Sequence, residues 1–166
     1  MAYALSGPNR PLRDHKICTI CITSFDVHLR YASEMNSQIE SREAYWNEWH
    51  NVVQDYIKKG FTIHFSWTTK SDQVETMAFL DSNPLMKDYF LFNNSLCLSN
   101  LLDNFAGSDV VVAGRMHGLI LAIICGCEVK PWMISKKIEN FSNDYLSLHS
   151  KTLYGEIEVV IDSILS

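Results

Sequence analysis

The residues best placed to do chemistry lie in the segment 108–141, SDVVVAGRMHGLILAIICGCEVKPWMISKKIENF. An apolar run led by Asp109 reads as a buried strand over 109–113, and Gly114 then gives a tight turn. Arg115 and His117 follow at once, then Gly118, as the chain enters a helix of small and aliphatic residues over 116–125 that stops at Gly126. An arginine and a histidine therefore sit where a strand passes into a helix N-terminus. The first-turn N–H groups there have no intrahelical partner, and the helix dipole favours negative charge. An arginine fork grips phosphate or carboxylate through two hydrogen bonds. A histidine beside it can donate a hydrogen bond or shuttle a proton near neutral pH. Gly118 would permit close backbone approach. The arrangement is that of an anion site, but R-x-H-G is too short to name the anion. The same residues also fit a structural role, with Arg115 capping a neighbouring helix and His117 a half-buried, satisfied side chain.

Other reactive residues carry less. Cys18 and Cys21 form a C-x-x-C inside the apolar run ICTICIT. On a strand, residues three apart face opposite sides, so the pair cannot easily chelate one metal, and no second pair supplies further ligands. Buried, reduced thiols are the expectation for all five cysteines. His28, His50 and His149 have no metal-ligand spacing, and His64 reads as packed at a sheet face. Asp72 and Glu75 fall in the first turn of an expected helix, where their charge favours the N-terminus. Tyr45, Trp46, Trp49 and Tyr56 cluster on one helix, as core or as a docking face. Neither G-x-x-x-x-G-K-[ST] nor G-x-G-x-x-G occurs, so the common nucleotide fingerprints are missing.

The elements that must position these residues alternate. Strands are expected over 16–24, 61–67, 88–92, 109–113 and 129–134, and helices over 43–59, 71–80, 95–105, 116–125 and 152–165. Residues 25–42 read as a polar loop without clear period, long for a connection inside a compact domain. Pro131 assigns the last strand to an edge. Residues 1–15, with Pro8 and Pro11, read as a tail or linker, and 16–166 as one domain. Such alternation gives an α/β fold: a Rossmann-like parallel sheet of about five strands with helices on both faces. Ligands of such sheets bind at the carboxyl ends of strands, near a topological switch point.

Composition sets bounds on function. A chain of 166 residues has room for one domain with a sizeable core. A net charge of −5 does not favour nucleic acid or anionic lipid as a general partner. No apolar run approaches the roughly 20 residues of a transmembrane helix. The N-terminus lacks a basic start followed by an apolar block, so no signal peptide is expected and a cytoplasmic location is the default.

The segment 108–141 resembles the signature of the polysaccharide pyruvyl transferases, in which an Asp-led strand precedes Arg-x-His-Gly, a small-residue helix, a Gly, another strand and Lys-x-x-x-Phe. The matching residues are Asp109, Arg115, His117, Gly118, Ala122, Gly126, Pro131, Lys137 and Phe141. More loosely, FTIHFSWTTKSDQVETMAFL resembles the family's preceding strand and Asp-containing helix. The resemblance implies one half of a GT-B-like fold, the donor-side half. It implies transfer of a pyruvyl ketal group from phosphoenolpyruvate, the donor substrate, to a sugar of a cell-surface polysaccharide, with no metal and no cofactor. By the same resemblance Arg115 and His117 serve the phosphoenolpyruvate, Arg115 as clamp and His117 as phosphate ligand or general acid. Gly118 lies beside them. Lys137 adds positive charge, unless it is simply a solvated lysine beside Lys136. The family's first strand usually leads into an arginine; here Ser24 and Phe25 follow the strand, and Arg30 is the nearest substitute. The acceptor-side domain is not evident in this sequence. Three readings stay open. They are a transferase of exopolysaccharide or cell-envelope synthesis, a non-catalytic remnant or module that pairs with an acceptor-side partner chain or forms a homo-oligomer, and a GT-B domain using a nucleotide-sugar.

Overall fold

A computed structural model describes residues 15–39, 41–87, 91–92 and 97–146. The helix expected over 152–165 and nearly all of the expected tail lie outside the described residues.

Five parallel strands form one sheet: β1 (Lys16–Cys21), β2 (Phe61–Phe65), β3 (Leu91–Phe92), β4 (Val110–Ala113) and β5 (Glu128–Pro131). Their order is β3-β2-β1-β4-β5. The chain builds outward from β1 to β3, then returns to the other side of β1 to lay down β4 and β5. The switch point thus falls between β1 and β4, whose ends are in register at Cys21 and Ala113. The α/β class and the parallel sheet match the sequence reading, and β5, with Pro131, is an edge strand as expected.

Strand alternation divides the core in two. Cys18, Ile20, Ile63, Phe65, Val110 and Val112 face one side, where they meet Tyr45, Trp49 and Val53 of α2 (Arg42–Lys58) and Phe79 and Leu80 of α3 (Lys70–Ser82). Cys21, Val111 and Ala113 face the other side, against Leu101 and Phe105 of α5 (Leu98–Ala106), Leu119 and Ala122 of α6 (Met116–Ile124), and Ile138 of α7 (Lys136–Phe141). Full burial of such side chains contributes about 1.5–3 kcal/mol each, which is what holds helices to both faces. Tyr45, Trp49 and Trp46 are therefore core residues; Trp49 stacks on Trp132 with centroids 4.4 Å apart. Cys18 and Cys21 enter opposite cores, as their spacing requires. Burial pushes the Cys18 thiol up to about 12 and raises that of Cys21 further. Cys97 departs from the expectation of buried thiols, since it is exposed at the start of α5.

Residues 25–42 are not a loop throughout. Residues 25–32 form α1 (Phe25–Ala32), which buries Phe25 and His28. Ser24, its N-cap residue, makes no side-chain capping bond. The cap comes from α3: Asp72 Oδ1 accepts from the Ser24 N–H at 2.9 Å, and Glu75 Oε2 from the Phe25 N–H at 3.0 Å. Two carboxylates at a helix N-terminus satisfy orphan donors and complement the dipole. No local sequence signal announces a helix whose cap lies nearly fifty residues away. Two short helices, α4 (Pro84–Lys87) and α7, were also not anticipated. Among the described residues no helix is long and apolar enough to cross a membrane.

Candidate functional site

The site forms where three connections meet at the carboxyl edge of the sheet. After β4, Gly114 leads to Arg115, the N-cap residue of α6, whose carbonyl accepts the first helical bond from the Leu119 N–H at 3.1 Å. After β2, Trp67, Thr68 and Thr69 lead to α3, and the Thr69 hydroxyl caps that helix by accepting from the Asp72 N–H. After β1, residues 22–24 lead to the α1 N-terminus.

Arg115 and Asp72 join these connections. The Arg115 guanidinium donates from Nη2 to Asp72 Oδ1 at 2.7 Å and from Nε to Oδ2 at 3.0 Å. Asp72 is 2% exposed and Arg115 24%. The same carboxylate takes the Ser24 N–H, and Thr68 Oγ1 donates to it at 3.5 Å. A buried pair of this kind is weak evidence for stability, because desolvation offsets most of the attraction. Its geometric consequence is firmer: both strong bonds use the edge bearing Nε and Nη2, and among the described residues Nη1 makes no hydrogen bond.

Beside this pair lies a pocket of about 400 Å³. Arg115, His117, Thr68, Thr69 and Cys97 are its polar lining residues, and Trp67, Leu98, Leu101 and Leu121 complete the wall. His117 is exposed in the first turn of α6, where free N–H groups gather. The result is a concave site with a guanidinium, an imidazole, two hydroxyls and a helix N-terminus, able to hold a small anion and to deliver a proton to it.

The structure thus brings Arg115 and His117 together. Gly118 is buried next to them, and an added Cβ would meet Ala113 Cβ at 3.4 Å and Thr68 Cγ2 at 3.5 Å, ordinary contacts. Within the protein the tighter packing is at Gly114, where a Cβ would lie 2.7 Å from both Thr23 Oγ1 and Ile134 Cγ2. Arg30 is exposed in the last turn of α1, and Lys137 is exposed on α7; neither lines the pocket. Asp109 has a structural part, accepting from the Ile17 N–H at 2.8 Å. Sequence reasoning missed Asp72 and Glu75, which it credited only with favouring their own helix. Both are almost fully buried and reach across to α1, and Glu75 also accepts from the Trp46 indole N–H at 2.7 Å. Their place just after a strand end was the available signal. Among the described residues no group of three His, Cys, Asp or Glu side chains is arranged to hold a metal ion.

Comparison with known proteins identifies the family. The family model described as Polysaccharide pyruvyl transferase matches residues 3–129, about three quarters of the chain. The match takes in Arg115, His117 and Asp72 and ends before Lys137. No curated protein and no solved structure matches. This chain belongs to the polysaccharide pyruvyl transferase family.

Proposed function

We propose that the chain is the donor-side domain of a pyruvyl transferase that takes the pyruvyl group from phosphoenolpyruvate and transfers it to a saccharide of the cell envelope, working in the cytoplasm. One observation carries this reading: Arg115 and His117 share a pocket at the α6 N-terminus, at the strand ends beside the switch point. The free edge of Arg115 grips the carboxylate or phosphate of the donor, and Thr68 and Thr69 add hydroxyls. His117 serves as phosphate ligand or general acid. A proton delivered to the methylene carbon makes it a methyl group and leaves an oxocarbenium-like centre at the neighbouring carbon. One sugar hydroxyl attacks that carbon and loses its proton. The C–O bond to phosphate then breaks, and a second hydroxyl of the sugar adds to the same carbon, its proton passing to the departing phosphate, which closes the ketal. The protein contributes electrostatic stabilisation and one positioned proton.

A second reading, a module that becomes competent only with an acceptor-side partner chain, is favoured by a specific observation. Arg30 and Lys137 lie off the pocket, so Arg115 is the one Lys or Arg among its described lining residues. Incubation of the full chain with phosphoenolpyruvate and an oligosaccharide panel tests the proposal. Acceptor-dependent phosphate release with a pyruvylated product, lost in His117→Ala, is the expected result. Transfer from a nucleotide-sugar instead would overturn it.

A further inference from the structure

We infer that Asp72 is the positioning residue of the anion site: its carboxylate fixes the Arg115 guanidinium by one edge and thereby presents the other edge to the pocket. This inference rests on the donor reading for its ligand, but not for its geometry.

Four observations carry it. The two hydrogen bonds from Arg115 are short and in the side-on pattern, Nη2 to Oδ1 at 2.7 Å and Nε to Oδ2 at 3.0 Å. Asp72 cannot itself swing, because Oδ1 also accepts from the Ser24 N–H at 2.9 Å and the residue is 2% exposed. Arg115 lines the pocket, whereas Asp72 does not. Finally, Thr69 ties the same connection together, since its hydroxyl accepts from the Asp72 N–H at 3.3 Å and from Arg115 Nη2 at 3.5 Å. An arginine side chain left alone samples many rotamers, and binding must then offset the lost entropy. A guanidinium already held by a buried carboxylate has paid none of that cost at the moment of binding, because folding has fixed it.

The arrangement also sets a sign that separates positioning from simple charge. Asp72 places a negative charge beside an anion site, so electrostatics alone requires that its neutralisation strengthen anion binding. Positioning requires the reverse. Asp72→Asn keeps the size of the side chain and one oxygen for the Ser24 N–H, but it cannot accept from both guanidinium nitrogens as a carboxylate does.

The test has two parts on the full chain. The first is the Arg115 Nε–H signal in ¹⁵N NMR, assigned by its loss in Arg115→Lys. It should be sharp and slow to exchange with water in wild type, and broadened or lost in Asp72→Asn. A signal unchanged in Asp72→Asn would overturn the inference whatever the ligand. The second is a double-mutant cycle for phosphoenolpyruvate affinity across Asp72→Asn and Arg115→Ala. Asp72→Asn should weaken binding about tenfold in the wild-type background and cause no loss in the Arg115→Ala background, where only the relief of its charge remains. Equal or tighter binding by Asp72→Asn would sink the positioning role. A merely structural role would give the same loss in both backgrounds. Wild type that binds no phosphoenolpyruvate, yet has an Nε–H signal dependent on Asp72, would remove the donor reading and leave the pairing intact.

Discussion

Gly114 is the position where the smallest change should have the largest structural effect. Alanine there would place its Cβ 2.7 Å from Ile134 Cγ2 and 2.7 Å from Thr23 Oγ1, with the Trp132 carbonyl oxygen at 3.4 Å. Carbon atoms attract best at roughly 3.5–4.0 Å, so both side-chain contacts are about 1 Å too close. Neither atom can rotate away easily: both sit on β-branched side chains with stiff χ1, and both residues are buried. The backbone behind them is held as well, since the Trp132 N–H donates to the Ala113 carbonyl at 2.8 Å. Overpacking of this kind costs about 1–3 kcal/mol. The lost glycine entropy of the unfolded chain returns about 0.4–1 kcal/mol. A net destabilisation of about 1–2 kcal/mol follows, at about 2–4 °C in Tm for each kcal/mol in a domain of this size. Gly118→Ala is the matched control: its Cβ meets ordinary contacts, and alanine is favoured over glycine within a helix by about 1 kcal/mol. Urea and thermal unfolding of the two variants should therefore move in opposite directions, Gly114→Ala down and Gly118→Ala level or up. Gly114→Ala as stable as wild type would refute the packing argument.

Three further outcomes are expected. Glu75→Ala removes the acceptor for the Phe25 N–H and the Trp46 indole and should destabilise the chain by about 1–3 kcal/mol in urea unfolding, with local exchange of α1 amides rising. Burial lowers the pKa of His28, partly opposed by a hydrogen bond to the Ile39 backbone. The unfolded imidazole, near 6.5, then takes up protons that the folded one resists, so the stabilising preference is complete above about pH 6.5 and is lost as pH falls toward the lower folded value. Urea midpoints should drop between about pH 7.5 and 5.5 by more in wild type than in His28→Phe, which keeps the ring between Phe25 and Tyr45; equal drops would contradict this. Cys97 is exposed, and a hydrogen bond with the Ser99 hydroxyl lowers its pKa, so iodoacetamide should label it first among the five cysteines. Because Cys97 lines the pocket, phosphoenolpyruvate should slow that labelling; an unchanged rate would place the ligand elsewhere.

Legibility from the sequence followed the range of the forces involved. β4 and α6 were readable because a valine run, a glycine and a small-residue helix are local patterns, and the position of Arg115 and His117 followed from them. The edge placement of β5 was readable from Pro131, which cannot donate in a sheet interior. α1 was not readable, because its N-terminus is capped by Asp72 and Glu75 from α3, and such a cap leaves no trace near residue 25. The part played by Asp72 was hidden for the same reason: it depends on three connections converging at the switch point, and only the sheet order brings them together. Lys137 was read from its match to the signature and Arg30 as the nearest arginine after the first strand; α7 and α1 carry them, and neither side chain lines the pocket.

The most direct measurement is titration calorimetry of phosphoenolpyruvate on the wild-type chain and on Arg115→Ala, with a nucleotide-sugar as control. Binding of phosphoenolpyruvate that is lost by about tenfold or more in Arg115→Ala, with no binding of the nucleotide-sugar, is the result this account requires. Phosphoenolpyruvate affinity that is the same in both proteins, or preference for the nucleotide-sugar, would contradict it.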